Sequence, residues 1–168
     1  SRSREKQEQR IVATTVASAT LKVTLKEDIV LNGRQQGSET VLSIPSINEI
    51  SKRIVTVTTS KHELISFSGT AGKGMYILAD MRYLRFTNLD DTNHLFLIFK
   101  NEDNDEFVVK LDKGQSFVYN GDLAGGTNDT MEALTAGTAS VSNVGYLLSV
   151  SAQADTDSCD LEMFTASA

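Results

Sequence analysis

Short runs of β-forming residues, each bounded by turn residues, constrain the fold of this chain more than any other feature. They are densest between residues 83 and 119, in the segments YLRFTNLDDTNHLFLIF and EFVVKLDKGQSFVY. Aromatic and β-branched residues favour strands, whereas Asn, Asp and Gly favour turns. The connections at residues 88–93 and 112–115 are predicted to be hairpin turns, and residues 101–105 to join the central strands of the resulting meander.

Further strands are predicted on both sides of this region. Strict alternation of apolar and polar residues from 21 to 26 predicts a strand with one buried face and one wet face. Asn32-Gly33 reads as a turn, and a short strand at residues 41–44 is expected to end at Pro45, the only proline. Ser46 and Glu49 have the spacing of a capping box and predict one helical turn. The remaining predicted strands cover residues 53–59, 62–68, 75–79, 144–150 and 160–165.

Together these patterns predict an all-β protein: an antiparallel β-sandwich, jelly-roll-like, with at most one or two short helical turns. A chain of 168 residues has the size of one ordinary domain. We expect residues 1–19 to form a charged N-terminal arm and residues 20–168 a single β-sandwich domain. Within it, the Gly-rich residues 120–143 are predicted to be a long loop with a short helix near residues 129–134.

Charge and composition argue against several classes of partner. The formal net charge of −6 and the pI near 4.9 disfavour a nucleic-acid binder, whose affinity rests on clustered Lys and Arg. No run of about 18 apolar residues predicts a membrane span. The single Cys159 can form neither an internal disulfide nor a Cys-rich metal site. The first ten residues lack the apolar stretch of a secretory signal, so we expect synthesis in the cytoplasm.

The N-terminus carries a charge opposite to that of the rest. Four basic residues and two acidic ones give the first ten residues a net charge of +2, which leaves −8 on the remainder of the −6 chain. Such a segment is either a solvated tail or an arm that lies across the acidic surface of a neighbouring copy. On the second interpretation the candidate interface residues, from this segment and from the long loop, are Arg2, Arg4, Lys6, Arg10, Asp122 and Asp129.

Candidate catalytic and metal-binding residues are sparse. His62 and His94 lie in no motif that pairs them with a nucleophile or a second ligand, and Cys159 has no basic neighbour in sequence. The segment GTAGKG lacks the Ser or Thr of a phosphate loop. The acidic residues 101–106 could hold calcium but lack the EF-hand pattern, so a solvated hairpin turn is the simpler reading. We therefore predict no catalytic residues, no metal and no cofactor.

Aromatic side chains on the predicted strands have two interpretations. Such residues usually form core and cross-strand packing, but a sugar-binding platform is the alternative, although the chain has no Trp. Tyr76, Tyr83 and Tyr119, with the acidic 101–106 loop, motivate that alternative. An enzyme on a β-scaffold would instead need paired carboxylates in one cleft. The candidates for that role, taken by composition alone, are Asp90, Asp91, Asp103 and Asp105.

The chain resembles small virion structural proteins of tailed bacteriophages, particularly those of the marine and cyanobacterial type. The resemblance covers roughly residues 53–119 and 144–168, with a Thr-Asn-Leu-Asp turn between strands, a Leu-Asp-Lys-Gly-Gln-Ser-Phe turn-strand unit and a final Asp-Leu-Glu strand. It implies a β-sandwich present in many copies on the head surface, in the connector or in the tail. These motifs describe a β-fold and have no catalytic content.

From the residues and this resemblance we expect a non-enzymatic structural subunit of a tailed-phage virion. It would act through repeated interfaces with copies of itself and with other virion proteins, without nucleic-acid or membrane partners. The alternative is a carbohydrate-binding β-sandwich module for surface attachment, with a glycan as ligand. An enzyme on a β-scaffold is the third hypothesis.

Overall fold

The structure is a computed structural model that describes residues 16–70, 75–119, 126–127, 131 and 137–168. Within these ranges the chain is almost entirely strand, and the described helical structure is a single 3-10 turn at Val141–Asn143. The predicted all-β antiparallel sandwich is therefore confirmed. In chain order the strands are β1 (Ala19–Lys26), β2 (Val30–Leu31), β3 (Arg34–Gln35), β4 (Glu39–Ile47), β5 (Glu49–Val57), β6 (His62–Ser68), β7 (Tyr76–Ile77), β8 (Met81–Asn88), β9 (Leu95–Asn101), β10 (Glu106–Leu111), β11 (Ser116–Tyr119), β12 (Leu147–Ala154) and β13 (Cys159–Ser167).

Two main sheets form the sandwich. One has five strands in the order β10-β9-β12-β6-β7, and the other has four in the order β11-β8-β13-β5. All neighbours in the two sheets are antiparallel except β6 and the two-residue β7, which pair in parallel. Strands β1 and β4 pair only with each other, and β2 and β3 continue the same hairpin toward its tip. We call residues 19–47 the long hairpin.

Aromatic packing joins the inner faces of the two sheets. The Phe99 ring, fully buried on β9, lies 6.1 Å from the ring of Phe86 on the opposite sheet, in an edge-to-face arrangement. It also contacts Phe107 in its own sheet and Phe117 and Tyr119 across the sandwich, at centroid distances of 4.9, 5.4 and 5.0 Å. Aromatic pairs in such geometries add to the free energy gained by burial. The predicted core role of the strand aromatics is confirmed for these five rings.

The two predicted hairpin turns, at residues 88–93 and 112–115, are wrong. Strands β8 and β9 lie in opposite sheets, as do β10 and β11, so both connections are corners that cross the sandwich. Of the three connections between residues 88 and 115, the one at residues 101–105 is a hairpin, since β9 and β10 pair directly. Turn residues encode a reversal of the chain, and a reversal can lead either to the neighbouring strand or to the facing sheet about 10 Å away.

The first corner is built around a buried polar side chain. The Asn88 side-chain amide donates hydrogen bonds to the carbonyls of Asn93 and Leu111, at 3.0 and 3.2 Å. Its side-chain oxygen accepts from the backbone N–H of Asp90, and the Asp90 carboxylate accepts from the N–H groups of Thr92 and Asn93. These bonds satisfy backbone groups that no sheet partner reaches at this corner.

Three further local predictions are wrong. Strand β4 does not end at Pro45 but continues to Ile47, because its outer edge has no sheet partner that would require the missing N–H. Ser46, at φ 61°, lies within that strand and Glu49 starts β5, so no helical turn forms there. The strand predicted at residues 75–79 shrinks to the two residues of β7.

Most of the predicted long loop at 120–143 and its helix lies outside the described residues. Among the described positions within it, Thr127 and Met131 form backbone hydrogen bonds with residues of the sandwich or next to its strands. The Thr127 N–H donates to the Leu78 carbonyl at 2.7 Å, and Met131 forms an isolated antiparallel bridge with Gly145.

Candidate interaction surface

The long hairpin is attached to the sandwich through its base. Directly paired residues of β1 and β4, such as Leu21 with Ile44, place their side chains on one face of the hairpin. That face packs on the outer face of the four-stranded sheet, the face turned away from the five-stranded sheet. Ile44 is fully buried there in a small cluster with Ile47, Tyr83 and Ala166. This cluster is separate from the main core.

Beyond its base the hairpin is surrounded by solvent. Every residue from 25 to 40 is exposed except Gly37, which is partly buried. Leu25 is 63% exposed and Val30 at the tip is 65% exposed. We call residues 25–40 the outer half. The remaining large apolar side chains exposed here and on the adjoining part of β4 are Ile29, Leu31, Val41 and Leu42.

Turn chemistry shapes the tip. Asn32 and Gly33, at φ 51° and 76°, form the two-residue turn that the sequence predicts. The Gln35 side-chain oxygen accepts hydrogen bonds from the N–H groups of Ile29 and Gly37, at 3.1 and 2.9 Å, and its amide donates to Asp28 at 2.7 Å. A Cβ at Gly37 would lie 1.8 Å from the Glu27 carbonyl oxygen, so glycine is required at this close approach. The tip is thus a defined structure.

An open groove lies between the hairpin and the sheet below it. Its volume is about 470 Å³, and apolar side chains dominate its walls. On the hairpin side these come from β1 and β4, and on the sheet side from β8 and the edge strand β11. We call this the hairpin groove and define it by Val23, Leu25, Leu42, Tyr83, Arg85 and Val118.

An ion pair fixes the floor of the groove. The Arg85 guanidinium donates to the Glu162 carboxylate at 2.8 Å and lies over the Phe164 ring, 5.7 Å from its centroid. Lys52 adds a longer contact of 3.9 Å to the same carboxylate. The hydrogen bond from Arg85 lowers the pKa of Glu162, with smaller contributions from the nearby charges. Arg85 therefore lines the groove with its charge already paired.

The two outer faces of the sandwich differ in polarity. On the four-stranded sheet, Ile50 and Ile54 of the edge strand β5 are 63% and 61% exposed, and Val118 of the opposite edge is 51% exposed. On the five-stranded sheet, Val108 of β10 is the exposed large apolar residue among those described. Exposed apolar residues therefore concentrate on the long hairpin and on the sheet face that it partly covers.

The interface residues predicted from sequence lie outside the described part of the chain. This applies to the four basic residues of the N-terminal arm and to the two acidic residues of the long loop, so the structure places none of them. The interface prediction stays a prediction. The surface described above involves other residues.

The three tyrosines considered for a sugar platform occupy different environments. The Tyr76 hydroxyl hydrogen-bonds Thr165 at 3.0 Å, and Tyr83 is buried below the base of the long hairpin. Burial raises the pKa of Tyr83. Tyr119 stacks on Phe99 inside the sandwich. These rings do not share one exposed face.

The four aspartates considered as catalytic pairs are also separated. Asp90 and Asp91 lie beyond the Leu95 end of β9, and Asp103 and Asp105 follow its Asn101 end. At about 3.4 Å per residue the seven-residue strand keeps the two groups roughly 20 Å apart. The 101–105 turn is closed by the Asn101 side chain, which accepts from the N–H groups of Asp103 and Asp105. Among the described residues no group of three or more His, Cys, Asp or Glu side chains is arranged to hold a metal ion.

The histidines and the cysteine each have a local structural contact. His62 Nδ1 lies 3.1 Å from the Ser60 carbonyl, and His94 Nε2 lies 3.4 Å from the Asp155 carboxylate. Cys159 is buried at the start of β13, with its Sγ 3.6 Å from the carbonyls of His94 and Asp157. Burial is the largest cause that raises the pKa of this thiol, and the neighbouring carboxylates raise it further. The fraction present as the nucleophilic thiolate is therefore lowered.

Sequence reasoning missed the outer half of the long hairpin as a surface. The residues Ile29, Val30 and Leu31 form a short apolar run directly before the Asn32-Gly33 turn. A run of apolar residues at a tight turn has few neighbours to bury it, and this was the available signal.

Comparison with known proteins finds no match: no protein-family model, no curated protein and no solved structure is significantly similar to this chain. Among the residues that the structure describes, no helix has the length and apolar character needed to cross a membrane.

Proposed function

We propose that this protein is a non-enzymatic structural subunit that assembles with copies of itself through repeated interfaces, as a component of a tailed-phage virion. The observation that carries the proposal is the long hairpin, which extends apolar side chains into solvent from a self-contained β-sandwich. An isolated two-stranded hairpin is at best marginally stable in water, and large exposed apolar surfaces mark interaction sites. A partner that covers the outer half would stabilise it.

The virion assignment rests on the resemblance of residues 53–119 and 144–168 to small phage structural proteins. A head-surface, connector or tail component is present in many copies, and each copy must offer surfaces that fit its neighbours. A hairpin that projects from the sandwich offers such a surface, because it reaches a neighbour without any change in the packing of the two sheets. The excess of acidic charge keeps free subunits soluble before assembly.

A carbohydrate-binding module is the weaker alternative. It needs an exposed aromatic platform, and the three tyrosines that motivated it lie in separate environments. An enzyme needs convergent reactive groups, and the four candidate aspartates lie at the two ends of β9.

Two measurements test the proposal. Light scattering behind a sizing column, over a concentration series at low and raised salt, should give a discrete mass larger than that of the 18.3 kDa chain. Mass spectrometry of purified particles of a phage that encodes the chain should find it in multiple copies. A strict monomer that is also absent from the particles would refute the proposal, and specific binding in a glycan panel would favour the alternative.

A further inference from the structure

We infer that the tip of the long hairpin of one copy docks in the hairpin groove of a second copy. This inference rests on the proposed function and names the contact through which assembly occurs. The tip consists of Ile29, Val30 and Leu31 with the Asn32-Gly33 turn, and its three apolar side chains are 52%, 65% and 59% exposed. The groove is open and apolar.

The volume of the groove limits what can bind in it to a narrow segment of a protein. A volume of about 470 Å³ is in the range that accepts a drug-sized molecule, so it takes a few side chains and excludes a whole domain. The tip is only two strands wide, and paired strands lie about 4.8 Å apart. Several of its backbone groups are already hydrogen-bonded, through the β2–β3 pair and through the Gln35 side chain. Insertion of the tip would therefore bury apolar side chains and remove fewer unpaired backbone groups from water than insertion of a single extended strand.

The occupant is a second copy because tip and groove are complementary and belong to the same chain. A tip cannot reach the groove of its own chain, since residues 23–25 and 40–42 of the same hairpin form one wall of that groove. When copies associate head to tail, every contact covers one tip and one groove. Heterologous contacts of this kind close into rings when the rotation allows it.

The outer half has a number of exposed residues comparable to that of one side of a specific protein–protein interface. The outer half offers sixteen residues, of which all but Gly37 are exposed. A specific interface of standard size uses about 20–30 residues on each side. The outer half therefore has more than half of the residues that one side of such an interface needs. The tip enters the groove, and the remaining residues of the outer half complete the interface outside it.

The test uses two single substitutions and a matched control in the full chain. Val30→Asp puts a charge on the tip, and Val118→Asp puts one in the groove. Val108→Asp is the control, because Val108 is 58% exposed on the other sheet and belongs to neither surface. All three positions are exposed, so unfolding by urea should stay close to the wild type. Each of the first two variants should raise the dissociation constant of the oligomer at least about 30-fold, the effect of a hot-spot residue. The control should leave it unchanged.

Mixing separates this contact from any other. Val30→Asp keeps an intact groove and Val118→Asp keeps an intact tip, so an equimolar mixture of the two monomeric variants should form a one-to-one dimer. In parallel, a Val30→Cys and Val118→Cys double variant should form disulfide-linked oligomers under mild oxidation. The pair Val108→Cys and Val118→Cys should not, and the native Cys159 is buried and does not compete.

The outcomes distinguish the two proposals. If the wild type oligomerises but Val30→Asp and Val118→Asp do so equally well, the docking inference is wrong while the structural-subunit proposal stands. A mixture that stays monomeric also overturns the docking contact. A wild type that is monomeric at every concentration overturns the docking inference and, with absence from the particles, the proposed function.

Discussion

The sandwich and the long hairpin are built from the same kinds of residue but bury their apolar faces to different extents. In the sandwich, two sheets cover each other and Phe99 lies fully buried among rings from both. In the hairpin, only the base packs against a sheet, and residues 25–40 are exposed to solvent except the partly buried Gly37. The comparison shows that alternating apolar residues specify a strand with an apolar face but do not supply the surface that covers it.

The sandwich should respond most strongly to truncation at its centre. Phe99→Ala should lower the free energy of unfolding by about 3–5 kcal/mol, because the cavity removes contacts to rings in both sheets. Urea denaturation followed by circular dichroism measures this loss. Val108→Ala, at an exposed position of the same sheet, is the control and should stay within about 0.5 kcal/mol of the wild type. Equal effects for both would contradict the described core.

The corner at Asn88 should be the next most sensitive part of the sandwich. Asn88→Ala removes three hydrogen bonds and leaves the Leu111 carbonyl and the Asp90 N–H without this partner. We expect a loss of about 2–3 kcal/mol in the same urea experiment, as for buried polar groups left unpaired. Thr92→Ala at the exposed part of the corner is the control. A change at Asn88 no larger than at Thr92 would show that its bonds do not hold the corner.

The hairpin should open without unfolding the sandwich. Ile44→Ala weakens the small cluster at its base, and a loss of about 2 kcal/mol should speed hydrogen exchange of hairpin amides about 30-fold. The Phe99 amide should exchange at the wild-type rate. Ser43→Ala, at an exposed position of β4 next to Ile44 that belongs neither to the outer half nor to the groove, is the matched control and should change neither rate. Parallel acceleration of hairpin and sandwich amides would mean that the two form one cooperative unit.

The smallest effect concerns pH. The hydrogen bond from Arg85 lowers the pKa of Glu162 in the folded chain. The ionised Glu162 carboxylate therefore stabilises the fold fully above the pKa of an unfolded Glu, near 4.3. This stabilisation is lost as the pH falls through the lower pKa of the folded state. The stability difference between the wild type and Glu162→Gln should therefore shrink below about pH 4. The exposed Lys61–Glu106 pair offers a control, since such surface pairs contribute little and Glu106→Gln should have a small effect at any pH. A difference that grows on acidification would contradict the assigned role of Arg85.

Local strand positions were well predicted from the sequence, and their pairing was not. The predicted bounds of β6, β10 and β11 match the structure, because each run is flanked by clear turn residues. The two corners were mistaken for hairpins, since Asn88 and its neighbours signal a reversal without stating which sheet follows. Pro45 was mistaken for a strand end because its effect depends on whether the strand edge is paired.

The candidate surface was the harder part to predict. Leu25 continues the apolar face that Leu21 and Val23 begin, and that face was expected to be buried along its whole length. The sheet below covers only the first two, so Leu25 is exposed. The length of strand that a neighbouring sheet buries is a property of tertiary structure. The two-residue period of the sequence carries no information about that length.

Removing most of the outer half while keeping the base tests directly whether the chain assembles through the long hairpin. The Glu27 N–H donates to the carbonyl of the opposite residue Ser38 at 2.9 Å, so replacing residues 28–37 by Asn-Gly should close a shorter hairpin with a two-residue turn. Light scattering behind a sizing column then compares its mass with that of the full chain at equal concentration. We expect an oligomer for the full chain and a folded monomer for the shortened one. An oligomer of unchanged copy number in the shortened chain would contradict it.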